Sequence, residues 1–417
     1  MMIRTASPSR IRRATLVRLA PVAALVLAAG CQRVDRDDTP VPLTPNADSA
    51  PVTDAAAWTR VANGDPSIDS LFVITRDRGI REGLDSLGAL AARDQAAAGR
   101  GHELAHALGR FAAAARGDIS ILVECTPVFQ SGCYHGALEG LFAHGATVDA
   151  STVDGICTAR AGRPGYEALE CWHGLGHGLM VRYGGDYRQA LPLCDALGSP
   201  RGRRECQDGV FMERTIRAIG ASSTDEAPAA RHQHGAHGGG GHGEHGARKK
   251  GGRLSNAELR RLCAEVDARH QPSCWAYQPI ALLFVHGDDA DAVLTECDAA
   301  PAAAARDCYR GFGKQYLGAM GGDAEPMIDA CGLRNRAYLA DCLLGGVEYF
   351  TDLDWSIEPG IAFCARVPAE ARARCYDMIG ERLALAHPAR GEAESACRRI
   401  EAPYVAACLA GTRRGQG

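Results

Sequence analysis

The sequence predicts an all-α solenoid of about eight or nine helical hairpins, each stapled by one disulfide, with a period of about 33–34 residues. Three observations carry this. Late cysteines fall in pairs: Cys263, Cys297, Cys331, Cys364 and Cys397 step by 34, 34, 33 and 33 residues, and each is followed 11 positions later by Cys274, Cys308, Cys342, Cys375 or Cys408. A period of this size with helical content marks stacked hairpins. Few segments alternate polar and apolar residues as strands do, and Ala, Leu, Arg and Glu are common, which favours helix. Finally, the second cysteine opens a recurring phrase, read in Cys133-Tyr134-His135-Gly136, Cys171-Trp172-His173-Gly174 and Cys308-Tyr309-Arg310-Gly311.

Taken in chain order, residues 1–30 read as a signal peptide. Arg4, Arg10, Arg12, Arg13 and Arg18 precede an apolar run of 11 residues, Leu19 to Ala29, too short to span a bilayer. The run ends in Leu27-Ala28-Ala29-Gly30-Cys31. This resembles the lipobox of bacterial lipoproteins, although Ala28 takes the place usually held by leucine. The resemblance implies cleavage before Cys31, lipidation of that cysteine, and attachment to a membrane in the cell envelope facing the periplasm. Gln32, in place of aspartate, favours the outer membrane. Residues 31–57, with five Asp and four Pro after Cys31, read as a disordered tether.

Seventeen cysteines, an even sixteen without Cys31, suit an exported, oxidised chain. The net charge of -4 argues against nucleic acid as a partner. Residues 58–221 form the N-terminal repeats, where looser pairs continue the pattern: Cys125-Cys133, Cys157-Cys171 and Cys194-Cys206. The expected pairings continue as Cys263-Cys274, Cys297-Cys308, Cys331-Cys342, Cys364-Cys375 and Cys397-Cys408. Each repeat reads as a short helix A, a cysteine, a loop, a second cysteine and a longer helix B. The aromatic after the second cysteine (Tyr134, Trp172, Trp275, Tyr309, Tyr376) reads as packing between hairpins. The period and hairpin pattern resemble the α-solenoids of tetratricopeptide and Sel1-like repeats, in architecture rather than in motif.

The repeat supplies its own control. Two positions after the second cysteine stand His135, His173, Asp208, Ala276, Arg310, Leu344, Asp377 and Ala410, so the scaffold does not require histidine there. One turn further on the same face lie Glu139 and His177. One period before Cys133 is Arg100, which would place His102 and His106 in the same register. His102, His106, His135, Glu139, His173 and His177 are therefore candidate ligands of zinc, copper or iron, because imidazoles and a carboxylate on rigid neighbouring helices suit such ions. His144, Asp208 and Glu213 are possible additions. The plainer alternative is that these histidines cap helices or hydrogen-bond in a polar groove.

His102-Glu103-Leu104-Ala105-His106 also resembles the HExxH phrase of zinc peptidases, which implies Glu103 as general base; the repeat explains the histidine pair better than a peptidase motif does. Residues 222–255 interrupt the stack with His232, His234, His237, His242 and His245 among glycines. They read as a disordered insert, similar in composition to the His-rich loops of periplasmic zinc- and nickel-handling proteins, and either a metal-capturing segment or filler. Residues 256–412 form the C-terminal repeats, whose Arg310, Lys314, Glu348, Asp377 and Glu381 offer a groove surface to an envelope protein partner. The function expected is metal binding, as a carrier, sensor or metal-dependent enzyme; the alternative is a non-enzymatic scaffold.

Overall fold

The computed structural model describes residues 66–117, 119–143, 154, 155, 157, 158, 165–220, 254–387 and 389–415. The signal peptide, Cys31, the tether, His144 and residues 222–253 of the His-rich insert lie outside them. Eighteen α-helices and no strand occur among the described residues. Three precede the regular stack: α1 (Pro66–Arg78), α2 (Ile80–Ala91) and α3 (Gln95–Gly99). The B helices are α4 (Gly101–Arg116), α5 (Gly132–Ala143), α6 (Tyr166–Arg182), α8 (Pro200–Ala218), α10 (Gln271–His286), α12 (Ala302–Ala319), α14 (Leu339–Asp352), α16 (Ala369–Ala386) and α18 (Val405–Gly415). Between them run the shorter A helices α7 (Tyr187–Asp195), α9 (Asn256–Ala264), α11 (Ala290–Asp298), α13 (Ala324–Cys331), α15 (Glu358–Arg366) and α17 (Arg390–Cys397).

Turn chemistry explains the hairpins. Chains leave a B helix through glycines with positive φ, such as Gly184, Gly185, Gly321 and Gly322, a conformation costly to other residues. The next A helix opens on an aspartate, Asp186, Asp289 or Asp323, whose carboxylate accepts a first-turn N–H, a cap contributing about 1 kcal/mol. All eight expected disulfides form, with Cα–Cα separations of 5.4 to 5.7 Å. Each joins the segment before a B helix to that helix's first turns. The aromatics beside them are core: Tyr134, Trp172, Trp275, Tyr309 and Tyr376 are at most 2% exposed.

Neighbouring B helices approach backbone to backbone on glycine. A Cβ on the glycine three positions after the cysteine would lie 2.0 Å from the His173 carbonyl at Gly209, 1.9 Å from that of Ala276 at Gly311 and 2.1 Å from that of Arg310 at Gly345. In each case the carbonyl belongs to the residue two after the preceding repeat's cysteine. Gly136 meets His106 in this way. This corrects the register of the first helix: the residue equivalent to Cys133 is Leu104, not Arg100, and it is His106 that shares a position with His135 and His173. Arg110 then stands level with Glu139, and His102 lies one turn before the shared position.

The stack curls until early and late repeats touch. Arg201 reaches Glu381 (3.1 Å) and the Gly415 carbonyl (3.2 Å), Arg204 bonds Asp307 (3.0 Å), and Tyr166 stacks on Trp355. On the face expected to offer a groove, charged residues pair with one another, and Arg310, Asp377 and Glu381 line a cavity there. Arg310 and Arg382 hold Glu348, Lys314 holds Asp352 (2.7 Å), and Asp377 pairs with Arg414. Burial opposes the Glu348 charge, but Arg310 overrides it and holds the carboxyl down at about 2.

Glu205 faces this enclosure without such a cation. Burial, then Asp208, push its carboxyl up to about 7, against a weaker pull from Arg382. A carboxyl raised in the fold favours the native state below its unfolded pKa and loses that contribution as pH rises through the folded value. The melting temperature of metal-free protein should therefore fall between about pH 4.5 and 7, and Glu205→Gln should flatten that slope. Parallel melts of the two proteins test this; an equal slope in both would exclude Glu205 as its source.

Candidate metal centre

The centre assembles where the first B helices meet. Gly132 and Gly136 on α5 let it lie against the backbone of His102 and His106 on α4, and Gly174 on α6 does the same for Tyr134 and His135. Close backbones bring the side chains at the shared position into contact. His106 Nε2 lies 3.1 Å from His102 Nε2 and 3.2 Å from His135 Nδ1.

The outer nitrogens determine the tautomers. His102 Nδ1 donates to the Phe129 carbonyl (2.7 Å), which can only accept. His106 Nδ1 donates to Glu139 Oε1 (3.2 Å). Burial works against the Glu139 charge, yet His106 and Arg110 hold this carboxyl well below the usual range. When both rings are neutral, His102 Nε2 and His106 Nε2 therefore present lone pairs to each other. His135 Nε2 meets Glu170 Oε2 (3.2 Å). Burial and Asp352 push Glu170 up to about 8, so the His135–Glu170 couple brings at most one proton to three inward nitrogens. Burial and the neighbouring rings hold His135 and His173 well below the usual imidazole range, so neither side chain relieves the crowding by charging. Lone pairs that meet in a buried site repel one another unless a cation or a proton lies between them. Nitrogens of one tetrahedral ion at about 2.0–2.1 Å sit about 3.3 Å apart, close to the spacing found.

A second group adjoins the first: Glu139, His177 and Glu213, all buried. His177 Nδ1 lies 3.2 Å from Glu213 Oε2 and 3.8 Å from Glu139 Oε1. Each carboxylate is paired with its own cation, Glu139 with Arg110 and Glu213 with Arg217 (2.8 Å). Charge here is already balanced, so these groups orient the imidazoles beside them. His177 Nε2 is buried without a hydrogen-bond partner. Its ring stacks on His135 at 5.2 Å between centroids. His173 stands alongside, 5.0 Å from His135 and 5.8 Å from Tyr277.

Other expected residues stand apart. Glu103 points to Arg100 (3.3 Å), is partly exposed, and joins neither candidate ligand group. Asp208 pairs with Arg204 (2.9 Å) rather than with the imidazoles. All sixteen described cysteines are in disulfides, so no thiolate is available there. Four supporting groups were not foreseen: the Phe129 carbonyl, Arg110, Glu170 and Arg217. Glu170 had a signal, since the residue before the second cysteine is acidic at Glu170, Glu205, Asp307 and Asp341.

The support for His102 is unusual. Phe129, Gln130 and Ser131 have φ of 55°, 53° and 60°, a left-handed run costing roughly 1–2 kcal/mol per residue outside glycine. The cause is loop length. Cys125 and Cys133 are 8 apart where the late pairs are 11 apart, yet the same Cα gap must close. Gly101 makes room for the Phe129 ring, which would lie 2.2 Å from a Cβ there. No family model, curated protein or solved structure matches the chain.

Proposed function

We propose that this chain is an extracytoplasmic metal-binding protein, anchored through Cys31 and favouring the outer membrane. His102 Nε2, His106 Nε2 and His135 Nδ1 hold one divalent ion of the zinc, copper or iron class. The observation that carries the reading is the approach of His102 Nε2 and His106 Nε2 to 3.1 Å, each ring having an acceptor at its other nitrogen. Nature's protein sites orient metal-binding histidines in this way, with the far N–H given to a carboxylate or carbonyl. Three imidazoles without thiolate suit zinc, copper and iron. Such a centre retains open positions, and when filled it supplies Lewis acidity to a water or carbonyl there. The compartment follows from the eight disulfides, which persist where the surroundings oxidise; no described helix is long and apolar enough to cross a membrane. The His-rich insert adds weaker capture sites.

Titration of the oxidised protein with Zn(II), against a chelating indicator, tests this in the full chain and in a chain lacking 222–255. One tight equivalent is expected in both, with further weak equivalents in the full chain alone. No tight equivalent in either would end the metal reading.

A further inference from the structure

One loop of the C-terminal repeats reaches the backbone that supports the metal centre. Residues 353–357, between α14 and α15, carry Trp355, whose backbone is left-handed at φ 64°. A tryptophan there is an outlier, and such conformations persist only where the surroundings impose them. Its ring stacks on Tyr166 at 5.7 Å and 11° and lies 6.3 Å from Tyr134. Tyr134 follows Cys133 and donates to the Cys125 carbonyl (3.2 Å), so the clasp rests on the disulfide loop that precedes α5. Two residues before Trp355, the Leu353 carbonyl accepts the Gln130 N–H (3.4 Å). Gln130 is the middle of the left-handed run, and its neighbour Phe129 presents the carbonyl that fixes His102.

We infer that Trp355 is a positioning residue for the metal centre: seated between Tyr134 and Tyr166, it holds the 353–357 loop against Gln130, and so keeps the Phe129 carbonyl aimed at His102. The inference rests on the metal reading for its consequence but not for its geometry. The short Cys125–Cys133 loop imposes the left-handed run, and within that loop the Phe129 carbonyl also accepts the Gly132 N–H (3.2 Å). The only described hydrogen bond to that run from beyond its own hairpin and His102 comes from Leu353. With Trp355 removed, the 353–357 loop is free to leave Gln130, the run shifts as a unit, and the Phe129 carbonyl turns away from His102.

The test is a double-mutant cycle with a second readout that needs no metal. Zn(II) affinity is measured for the full chain, Trp355→Ala, His102→Ala and the double variant, each with its disulfides mapped and its helical signal recorded. Trp355→Ala should weaken binding about 10-fold or more, the scale of losing an outer-shell partner. In the His102→Ala background it should change affinity less than about 2-fold, because it acts through that residue. Trp355→Phe, which retains the stack on Tyr166, should restore most of the affinity. In metal-free protein, the His102 Nδ1–H should give a slowly exchanging proton resonance that Trp355→Ala abolishes. Equal losses in both backgrounds, or a His102 proton that survives Trp355→Ala, would overturn the inference. A parent chain that binds no Zn(II) but whose His102 proton depends on Trp355 would uphold it while ending the metal reading.

Discussion

Replacing His106 with alanine should remove the tight metal equivalent while leaving the metal-free protein as stable as before. His106 is the middle ligand: its Nε2 lies within 3.2 Å of both His102 Nε2 and His135 Nδ1. Its loss leaves two imidazoles. Structural zinc sites gain roughly 10–16 kcal/mol from four ligands, so one ligand fewer should weaken binding by about 100- to 1,000-fold. Stability runs the other way. An ordinary buried histidine that satisfies its neighbours costs about 1–3 kcal/mol when truncated. Here the ring crowds two other imidazole nitrogens within 3.2 Å, and Glu139 keeps Arg110 after the change. Removing the repulsion should offset the lost packing, giving a net change within about 1 kcal/mol. Competition titration and melts of metal-free protein check the two halves together. A His106→Ala protein that melts much lower yet still binds zinc tightly would make this a structural histidine. His173→Ala, whose ring is one neighbour removed, should cost less than about 10-fold in affinity.

In a thiol-reducing buffer the helical signal should collapse at a temperature where the oxidised protein is unaffected. Each disulfide closes a loop of 8 to 14 residues, worth roughly 3 kcal/mol. Eight of them together exceed the roughly 5–15 kcal/mol by which a native protein is stable. The hairpins offer little else of their own. A helices such as α13 and α17 have 8 residues, below the roughly 12–15 at which isolated helices persist. Circular dichroism at fixed temperature, with thiols counted by alkylation, measures it. Full helical signal with sixteen thiols modified would mean that the glycine contacts alone hold the stack.

The solenoid and its eight pairings were legible because covalent spacing is written directly in the sequence: Cys297 and Cys308 recur as Cys331 and Cys342 one period later. The candidate ligands were legible because the repeat shows where histidine is dispensable. Register failed at α4 for a related reason. That helix has no cysteine, and counting back a full period from Cys133 overshot by one turn because the Cys125–Cys133 loop is shorter than its counterparts. Only Gly109 and Gly136, which seat α4 on α5, reveal that Leu104 is the equivalent position. The curl was not legible at all. Periodicity records what each hairpin does to the next, whereas the contacts of Arg201 with Glu381 and of Trp355 with Tyr166 depend on a small rotation accumulated over many steps. Glu170 stands before the second cysteine, outside the phrase that the repeat makes conspicuous.

The closure has a consequence in time. Gln130 and Leu353 meet across more than two hundred residues, and the disulfides of five intervening hairpins, from Cys157-Cys171 to Cys331-Cys342, stand between them. Local hairpins form early, and contacts so distant along the chain form late. A chain delivered amino-terminus first completes α4, α5 and α6 while residues 353–357 are still to come. The imidazoles of the early helices are thus gathered before their support arrives, and maturation of the centre waits on the last third of the polypeptide.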